Sequence, residues 1–182
     1  VKEWIEYAKK NPGKLNYAEA SASQRLSGEM FNKLAGVKME RVPYKASPQA
    51  LGDVASGQVQ VMFPDLPQAL TQIEAGRVRG LATTGPKRTT VTPNLPAIAE
   101  AVPGYSLVYW LAVFAPAATP KDVQKVLADA IAEALKDPAT AKAMTQGRME
   151  IAPLALDEFA AYVKSETAWW TKEIKAAGIE PE

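Results

Sequence analysis

The stretch LNYAEASASQRL, Leu15–Leu26, decides the fold because its pattern is that of a strand leading through a small polar loop directly into a helix. Backbone N–H groups at the start of a helix have no partners within it and carry a partial positive charge. The loop is therefore a candidate seat for an anion or carboxylate, formed by Ala20, Ser21, Ala22 and Ser23. The simpler interpretation, and the commoner use of serine here, is that Ser21 or Ser23 only caps the helix.

Helices and strands alternate on both sides of this stretch. An amphipathic helix from Val1 should end at the KKNPG segment, and the helix after the serine loop should end at Gly36. A strand is predicted within Val37–Tyr44. The pair Ser47 and Pro48 then has the form of a helix cap followed by a first-turn proline.

Two successive units then repeat the order helix, glycine, strand. Gly57 and Gly76 suit the left-handed position that closes a helix, and strands are predicted over Gln58–Phe63 and Arg77–Thr83. Helices and strands joined by such short links predict an α/β fold with a mostly parallel sheet and flanking helices. Ligands collect at the carboxyl ends of such strands, where the serine loop, Lys45–Ser47 and Pro64–Asp65 should converge.

The remainder is more helical. A long irregular connection with a short terminal helix is predicted for residues 84–103, and a domain boundary near Trp110–Pro116. This division predicts one domain over residues 1–109 and another over 110–182. Strands are also predicted at Tyr105–Phe114 and Met149–Leu154. Three further helices are predicted: one that begins near Thr119 and Pro120, one over about Pro138–Gln146, and one from Asp157 to Gly178.

Composition excludes several classes of function. The 182 residues contain 21 Lys and Arg against 20 Asp and Glu, which argues against a surface that binds nucleic acid by counterion release. The absence of Cys and His excludes thiol nucleophiles, His-based triads and His- or Cys-ligated zinc, and no cofactor motif is present. No apolar run approaches the roughly 20 residues that span a bilayer, and the first residues do not have the layout of a signal peptide.

Isolated polar and aromatic residues each have a structural explanation beside a functional one. Asp65 lies between prolines, where an acid commonly forms a turn. Glu166 interrupts the apolar stripe of the last helix and is expected to form an interhelical ion pair. Of the tryptophans, Trp110 is the better ligand candidate because it lies at the predicted domain crossing, whereas the Trp169–Trp170 pair is expected to be at least partly core.

Several segments resemble the periplasmic substrate-binding proteins of tripartite tricarboxylate transporters, also called the Bordetella uptake gene family. The resemblance is carried by LNYAEA with LSGEMFNKLAG, by VPYKASPQALGDVASGQVQVMFPDLPQAL with AGRVRGLATTGPKR, by VPGYSLVYWLAVFAPAATPKDVQKVL and by DEFAAYVKSETAWWTKEIKAAGI. It implies a fold of the type II periplasmic-binding-protein kind, with two α/β lobes. Residues 1–109 would form the second lobe, and residues 110–182 the crossing and the helical C-terminal part of the first. It also implies an N-terminal segment of about 100 residues that precedes Val1 in family members.

The resemblance assigns ligand contacts by position. The loop from Ala20 to Ser23 matches the one that holds a substrate carboxylate, Pro64 and Asp65 match a turn facing the cleft, and Trp110 matches an aromatic position at the crossing. This loop is shorter and poorer in glycine than the family pattern. It also carries Glu19, which would repel a carboxylate, and Arg25, which could pair with one in place of the usual His.

The expected function is capture of a small organic acid in the periplasm for integral membrane transporter subunits, without enzymatic activity, cofactor, metal or nucleic acid. The alternative is an interaction module that self-associates through apolar surface on the Tyr105–Phe114 segment or the last helix. An enzyme using Asp65 with Arg25 is a third hypothesis, although no base and nucleophile pair is evident.

Overall fold

A computed structural model describes residues 1–179, whose contacts divide into two compact units. The first unit comprises Val1–Val108 with the chain from Ile174 onward, and the second comprises Tyr109–Glu173. The assignment of residues 1–109 and 110–182 to separate lobes stays a prediction. Each unit is described in turn below.

The first unit is built on a parallel sheet of three strands in the order β2-β1-β3, with helices between the strands along the chain. The predicted α/β fold with a mostly parallel sheet and flanking helices is confirmed. Because β1 is central, the loop that follows it lies between the loops that follow its two neighbours. The elements are α1 Lys2–Lys10, β1 Leu15–Glu19, α2 Ala22–Ala35, β2 Met39–Pro43, α3 Ser47–Ala55, β3 Val61–Met62 and α4 Leu66–Glu74.

Strand β1 supplies core residues to both faces of the sheet, since successive side chains alternate. On one face Tyr17 is fully buried, and its ring makes an edge contact with Phe63 at 6.4 Å between centroids. Phe31 of α2 and Tyr105 extend this aromatic layer. On the other face Ala18 packs with a second cluster formed by Ala50 and Val59, with Val42, Tyr44, Val54 and Met62 around it.

The two glycines predicted to close helices both have left-handed backbone. Gly57 follows α3 with φ of 82°, and Gly76 follows α4 with φ of 67°. Glycine reaches this region without the penalty that a Cβ would impose. These two helix ends are therefore confirmed.

The strands predicted after these glycines are largely absent. Pairing in the Gln58–Phe63 segment is confined to Val61–Met62, and Arg77–Thr83 contributes only an isolated bridge between Thr83 and Ala97. A two-residue strand offers few N–H and C=O groups to a further strand, so a ladder cannot continue from its edge. The predicted second helix, glycine, strand unit therefore ends in irregular backbone.

Two other predicted strands were wrong. Neither Tyr105–Phe114 nor Met149–Leu154 forms a strand in the part of the chain that the structure describes. Both segments have apolar residues typical of strands, yet a strand exists only where a neighbouring backbone completes its hydrogen bonds. Tyr109, Leu111 and Phe114 are each more than 60% exposed.

The second unit contains α5 Lys121–Lys136, α6 Pro138–Gln146 and most of α7, Leu156–Ala176. The helices are where the sequence pattern predicts them, although α5 begins at Lys121, after Pro120, without a cap bond from Thr119. No residue of α5, α6 or α7 is buried, and Val126 of α5 is 67% exposed. Across residues 1–179 no helix has both the length and the apolar character needed to cross a bilayer.

The irregular connection predicted for residues 84–103 is confirmed, and it ends in a single 3-10 turn at Ile98–Glu100. A two-pronged ion pair holds it: Arg88 Nε lies 2.8 Å from one Glu100 oxygen and Nη2 lies 2.9 Å from the other. The Ala97 N–H also donates to Glu100 at 2.9 Å. These bonds, the Arg88 pair foremost, lower the pKa of Glu100 from its usual 4.5 to about 2.

We expect Glu100→Gln to destabilise the protein at neutral pH and to have little effect in strong acid. Because the folded-state pKa lies below the usual value, the stabilisation is fully present above about pH 4.5 and is lost as the pH falls towards 2. Urea unfolding of wild type and variant at several pH values measures this difference. Arg88→Met should show the same pH dependence, and a difference between Glu100→Gln and wild type that does not shrink in acid would contradict the prediction.

Candidate functional site

The loop between β1 and α2 is capped by serine. Ser21 has extended backbone, and its hydroxyl oxygen accepts from the Gln24 N–H at 3.4 Å. The Ser23 hydroxyl lies 3.0 Å from that of Ser21. The capping interpretation is therefore correct for Ser21, while Ser23 is the second hydroxyl of the same loop.

The cap uses one donor of this helix start, the Gln24 N–H, and leaves three others without a partner in the described residues. The backbone N–H groups of Ser21, Ala22 and Ser23 have no acceptor within residues 1–179. Ser21 and Ala22 are also exposed. Consecutive free N–H groups at the positive end of a 14-residue helix form a suitable environment for a carboxylate. The cap and the anion seat are therefore compatible features of one loop.

Gln24 organises this loop and was missed in the sequence. Its side chain is buried, and its Oε1 accepts from the Ala20 N–H at 2.8 Å. Its Nε2 donates to the Ser47 hydroxyl at 3.1 Å. The available signal was the spacing of Ser21 and Gln24, because a serine cap followed three residues later by Gln or Glu predicts a capping box, in which the later side chain accepts from the N–H of the cap residue. Here Gln24 accepts from the N–H one residue earlier, that of Ala20.

The Ser47 interaction corrects a prediction. Helix α3 begins at Ser47 itself with Ala46 as its N-cap residue, and no side chain caps it. The Ser47 hydroxyl instead accepts from Gln24 and joins the start of α3 to the loop after β1.

Glu19 does not present an uncompensated negative charge at the loop. It ends β1, is 8% exposed, and its carboxylate lies 3.0 Å from the Arg41 guanidinium on the adjacent strand β2. Pairing offsets the desolvation of the buried carboxylate and screens its charge from a bound anion. The repulsion expected from Glu19 is thereby reduced.

Arg25 is a cation without an acidic partner among residues 1–179. Its Nη2 donates to the Gly178 carbonyl at 3.3 Å, and its Nε is buried without an acceptor within residues 1–179. A buried, unsatisfied guanidinium N–H is costly, and a carboxylate is the acceptor whose geometry fits the guanidinium fork. The geometry is therefore compatible with the anion-pairing role predicted for Arg25.

The loops after the three strands lie at one edge of the sheet. Ala18 is paired with Met62 in parallel register, so the chain after β3 leads to Pro64 beside the level of Ala20. On the other side the Tyr44 N–H donates to the Glu19 carbonyl at 2.8 Å. The predicted convergence of Ser21–Ser23, Lys45–Ser47 and Pro64–Asp65 at this edge agrees with the strand register.

Asp65 lies in the loop that joins β3 to α4. It is exposed and occupies the N-cap position of α4, but its side chain makes no capping bond. No base or nucleophile is hydrogen-bonded to it among residues 1–179. The same part of the chain holds no group of three or more acidic side chains arranged to bind a metal ion.

Trp110 lies in the second unit, within an aromatic cluster. Its ring makes edge contacts with Phe159 at 5.9 Å and Tyr162 at 5.7 Å, and its indole N–H donates to Glu166 at 3.2 Å. Glu166 therefore pairs with an indole, and the interhelical ion pair predicted for it is not found within residues 1–179. Trp169 and Trp170 contact each other edge to face, 5.3 Å apart. The ligand role of Trp110 stays a prediction.

An open depression of about 450 Å³ lies elsewhere, between the end of α2 and the start of β2. Its charged lining mixes both signs, with Glu29 and Glu40 beside Lys33, Lys38 and Arg41. It contains no helix start, and acids and bases lie side by side in it, so the loop after β1 is the better ligand candidate.

Comparison with known proteins places the chain among transport receptors. Residues 1–179 match the family model described as tripartite tricarboxylate transporter family receptor. The chain is 34% identical over 178 residues to a protein encoded in the tcbD–tcbE intergenic region of Pseudomonas sp. strain P51, covering 96% of this chain and 53% of that protein. It is 30% identical over 180 residues to the BugT protein of Bordetella pertussis, covering 97% and 55%.

The chain is also similar in fold and sequence to a solved structure. The R. palustris protein Rpa4515, solved with adipate, superposes with a TM-score of 0.84 at 34% identity. The match covers 100% of this chain and 62% of that one. The chain thus spans about half the length of the curated relatives it matches.

Proposed function

The chain belongs to the tripartite tricarboxylate transporter receptor family, and from this premise we propose that it is part of a periplasmic solute-binding protein that captures a small organic carboxylate. Its role is binding and delivery to membrane transporter subunits, without chemical turnover. The adipate found with the R. palustris relative favours an aliphatic dicarboxylate as the ligand.

The observation that carries this proposal is the start of α2. Three consecutive N–H groups there have no acceptor among the residues that the structure describes, and two hydroxyls lie beside them. Arg25, one turn further along the helix, supplies a cation that has no acidic partner in the described part of the chain. Together these groups match one carboxylate in charge and hydrogen bonding.

Two further predicted contacts belong to the proposed site: Pro64 and Asp65 border the ligand from the loop after β3. Because like charges repel, the exposed acid of Asp65 is expected to border the aliphatic part of the ligand rather than a carboxylate.

Titration calorimetry of the chain against mono-, di- and tricarboxylates tests the proposal. Binding of at least one acid with measurable affinity is expected, and a panel with no binder would refute it. Light scattering on the same sample separates this function from self-association, the alternative from the sequence.

We expect Ser23→Ala to weaken carboxylate binding about fivefold, since a lost hydrogen bond costs roughly 1 kcal/mol. Its hydroxyl bonds only to that of Ser21 in the structure, so the folded state should be little affected. Ser21→Ala should weaken binding by a similar factor and also destabilise α2 by about 1 kcal/mol, because it removes the cap. Calorimetry and urea unfolding measure the two effects, and unchanged affinity in Ser23→Ala would contradict the assignment.

A further inference from the structure

We propose that Gln24 is the positioning residue of the ligand loop and determines which backbone N–H groups face the ligand. Its carboxamide accepts from the Ala20 N–H, and the next three N–H groups, those of Ser21, Ala22 and Ser23, have no acceptor among the residues described. The inference rests on the proposed function. It assigns Gln24 an indirect role in carboxylate binding, because the groups that contact the carboxylate are the neighbouring N–H groups and not Gln24 itself.

The hydrogen bonds of Gln24 allow a single orientation of its carboxamide. The Ala20 N–H can only donate, so the atom 2.8 Å from it must be the carbonyl oxygen. The amide nitrogen then faces the Ser47 hydroxyl at 3.1 Å. With 3% of its surface exposed, the side chain has no solvent to replace either partner. If the carboxamide were rotated by half a turn, its NH2 group would face the Ala20 N–H, and two donors would stand against each other. The observed orientation is therefore fixed.

This arrangement joins two loops that follow different strands. Ala20 lies directly after β1, and Ser47 is the first residue of α3, in the connection from β2 to β3. The position of the free N–H groups therefore depends on α3 as well as on α2. Without Gln24 the Ala20 N–H would become a fourth donor, and the loop could rotate its N–H groups away from a common focus.

Asn32 provides a matched control in the same helix. Its carboxamide also makes two bonds to another element, donating to the Met39 carbonyl at 3.0 Å and accepting from the Met39 N–H at 3.0 Å. It lies near the opposite end of α2 and connects that end to the start of β2. Loss of the Asn32 bonds should therefore affect stability in the same way without altering the ligand loop.

The test compares Gln24→Met with Asn32→Leu, using adipate as the probe in titration calorimetry and urea unfolding for stability. Gln24→Met keeps the length of the side chain and removes both amide bonds, and we expect it to weaken adipate binding about tenfold. Asn32→Leu should lower stability and leave adipate affinity unchanged. Ser47→Ala should weaken binding less, and its effect should disappear in the Gln24→Met background, because the two residues act through one bond.

The possible results separate a failure of the Gln24 inference from a failure of the proposed function. Equal adipate affinity in wild type and Gln24→Met overturns the inference alone, as does an equal loss of affinity in Asn32→Leu, which would indicate general destabilisation. Additive effects of Gln24→Met and Ser47→Ala overturn the coupling. A wild-type chain that fails to bind adipate overturns the inference, and failure with the whole acid panel overturns the proposed function as well.

Discussion

Gly28→Ala should lower the free energy of unfolding by about 2 kcal/mol, the cost typical of an added methyl group in a packed core. Gly28 lies in the middle of α2 against the ring of Tyr17, which is fully buried at the centre of the sheet. A Cβ at this position would come within 2.6 Å of the Tyr17 Cδ2 atom and closer still to its Cε2 and Cζ atoms. The ring cannot retreat, because Phe63 packs against it.

Gly52→Ala is the matched control for this prediction. Gly52 is also helical, in α3, but nothing lies within 4 Å of the position its Cβ would occupy. The same substitution there should stabilise the protein by about 0.5–1 kcal/mol, because alanine favours the helix over glycine. Urea unfolding of both variants measures the contrast, and a Gly28→Ala variant as stable as Gly52→Ala would show that helix and sheet can separate at no cost.

Arg25→Met should weaken carboxylate binding by about tenfold to a hundredfold, because a hydrogen bond to a charged group contributes roughly 1.5–3 kcal/mol. Arg25 follows the loop in α2, and its guanidinium has no acidic partner among residues 1–179. The substitution keeps most of the aliphatic stem and removes the charge. Calorimetric titration with adipate measures the loss.

Two further variants identify the cause of that loss. Arg25→Lys retains the charge without the planar fork and should recover only part of the affinity. Lys33→Met removes an exposed cation from the last turn of the same helix and should leave binding nearly unchanged, since the charge is distant and screened. Equal losses in Arg25→Met and Lys33→Met would mean that Arg25 acts only through net charge.

Local patterns in the sequence were enough to predict most helices. The helix ends at Gly36, Gly57, Gly76 and Gly178 have the left-handed backbone that glycine favours. Such ends depend on residues within one or two turns, so no distant contact is needed to predict them. The cap at Ser21 is likewise local, which explains why the start of α2 was predicted correctly.

Strands were less predictable because their stability depends on a partner. Tyr105–Phe114 has the most apolar pattern in the chain, yet it forms no strand within residues 1–179, although the Leu107 N–H donates to the Thr84 carbonyl at 2.9 Å. Arg77–Thr83 fails for a related reason, since β3 is only two residues long. In both cases side-chain pattern describes what a strand would bury, whereas pairing depends on backbone groups elsewhere in the chain.

By itself, the sequence determined the strand, serine loop and helix at Leu15–Leu26, and with them a helix start that is a candidate anion site. Tertiary structure alone decided what surrounds that loop. Arg41 neutralises Glu19, and Gln24 occupies the Ala20 N–H while reaching Ser47. The physical reason is distance along the chain: the cap is formed within four residues, but Arg41 and Ser47 come close to the loop only when three parallel strands bring their carboxyl ends to one edge.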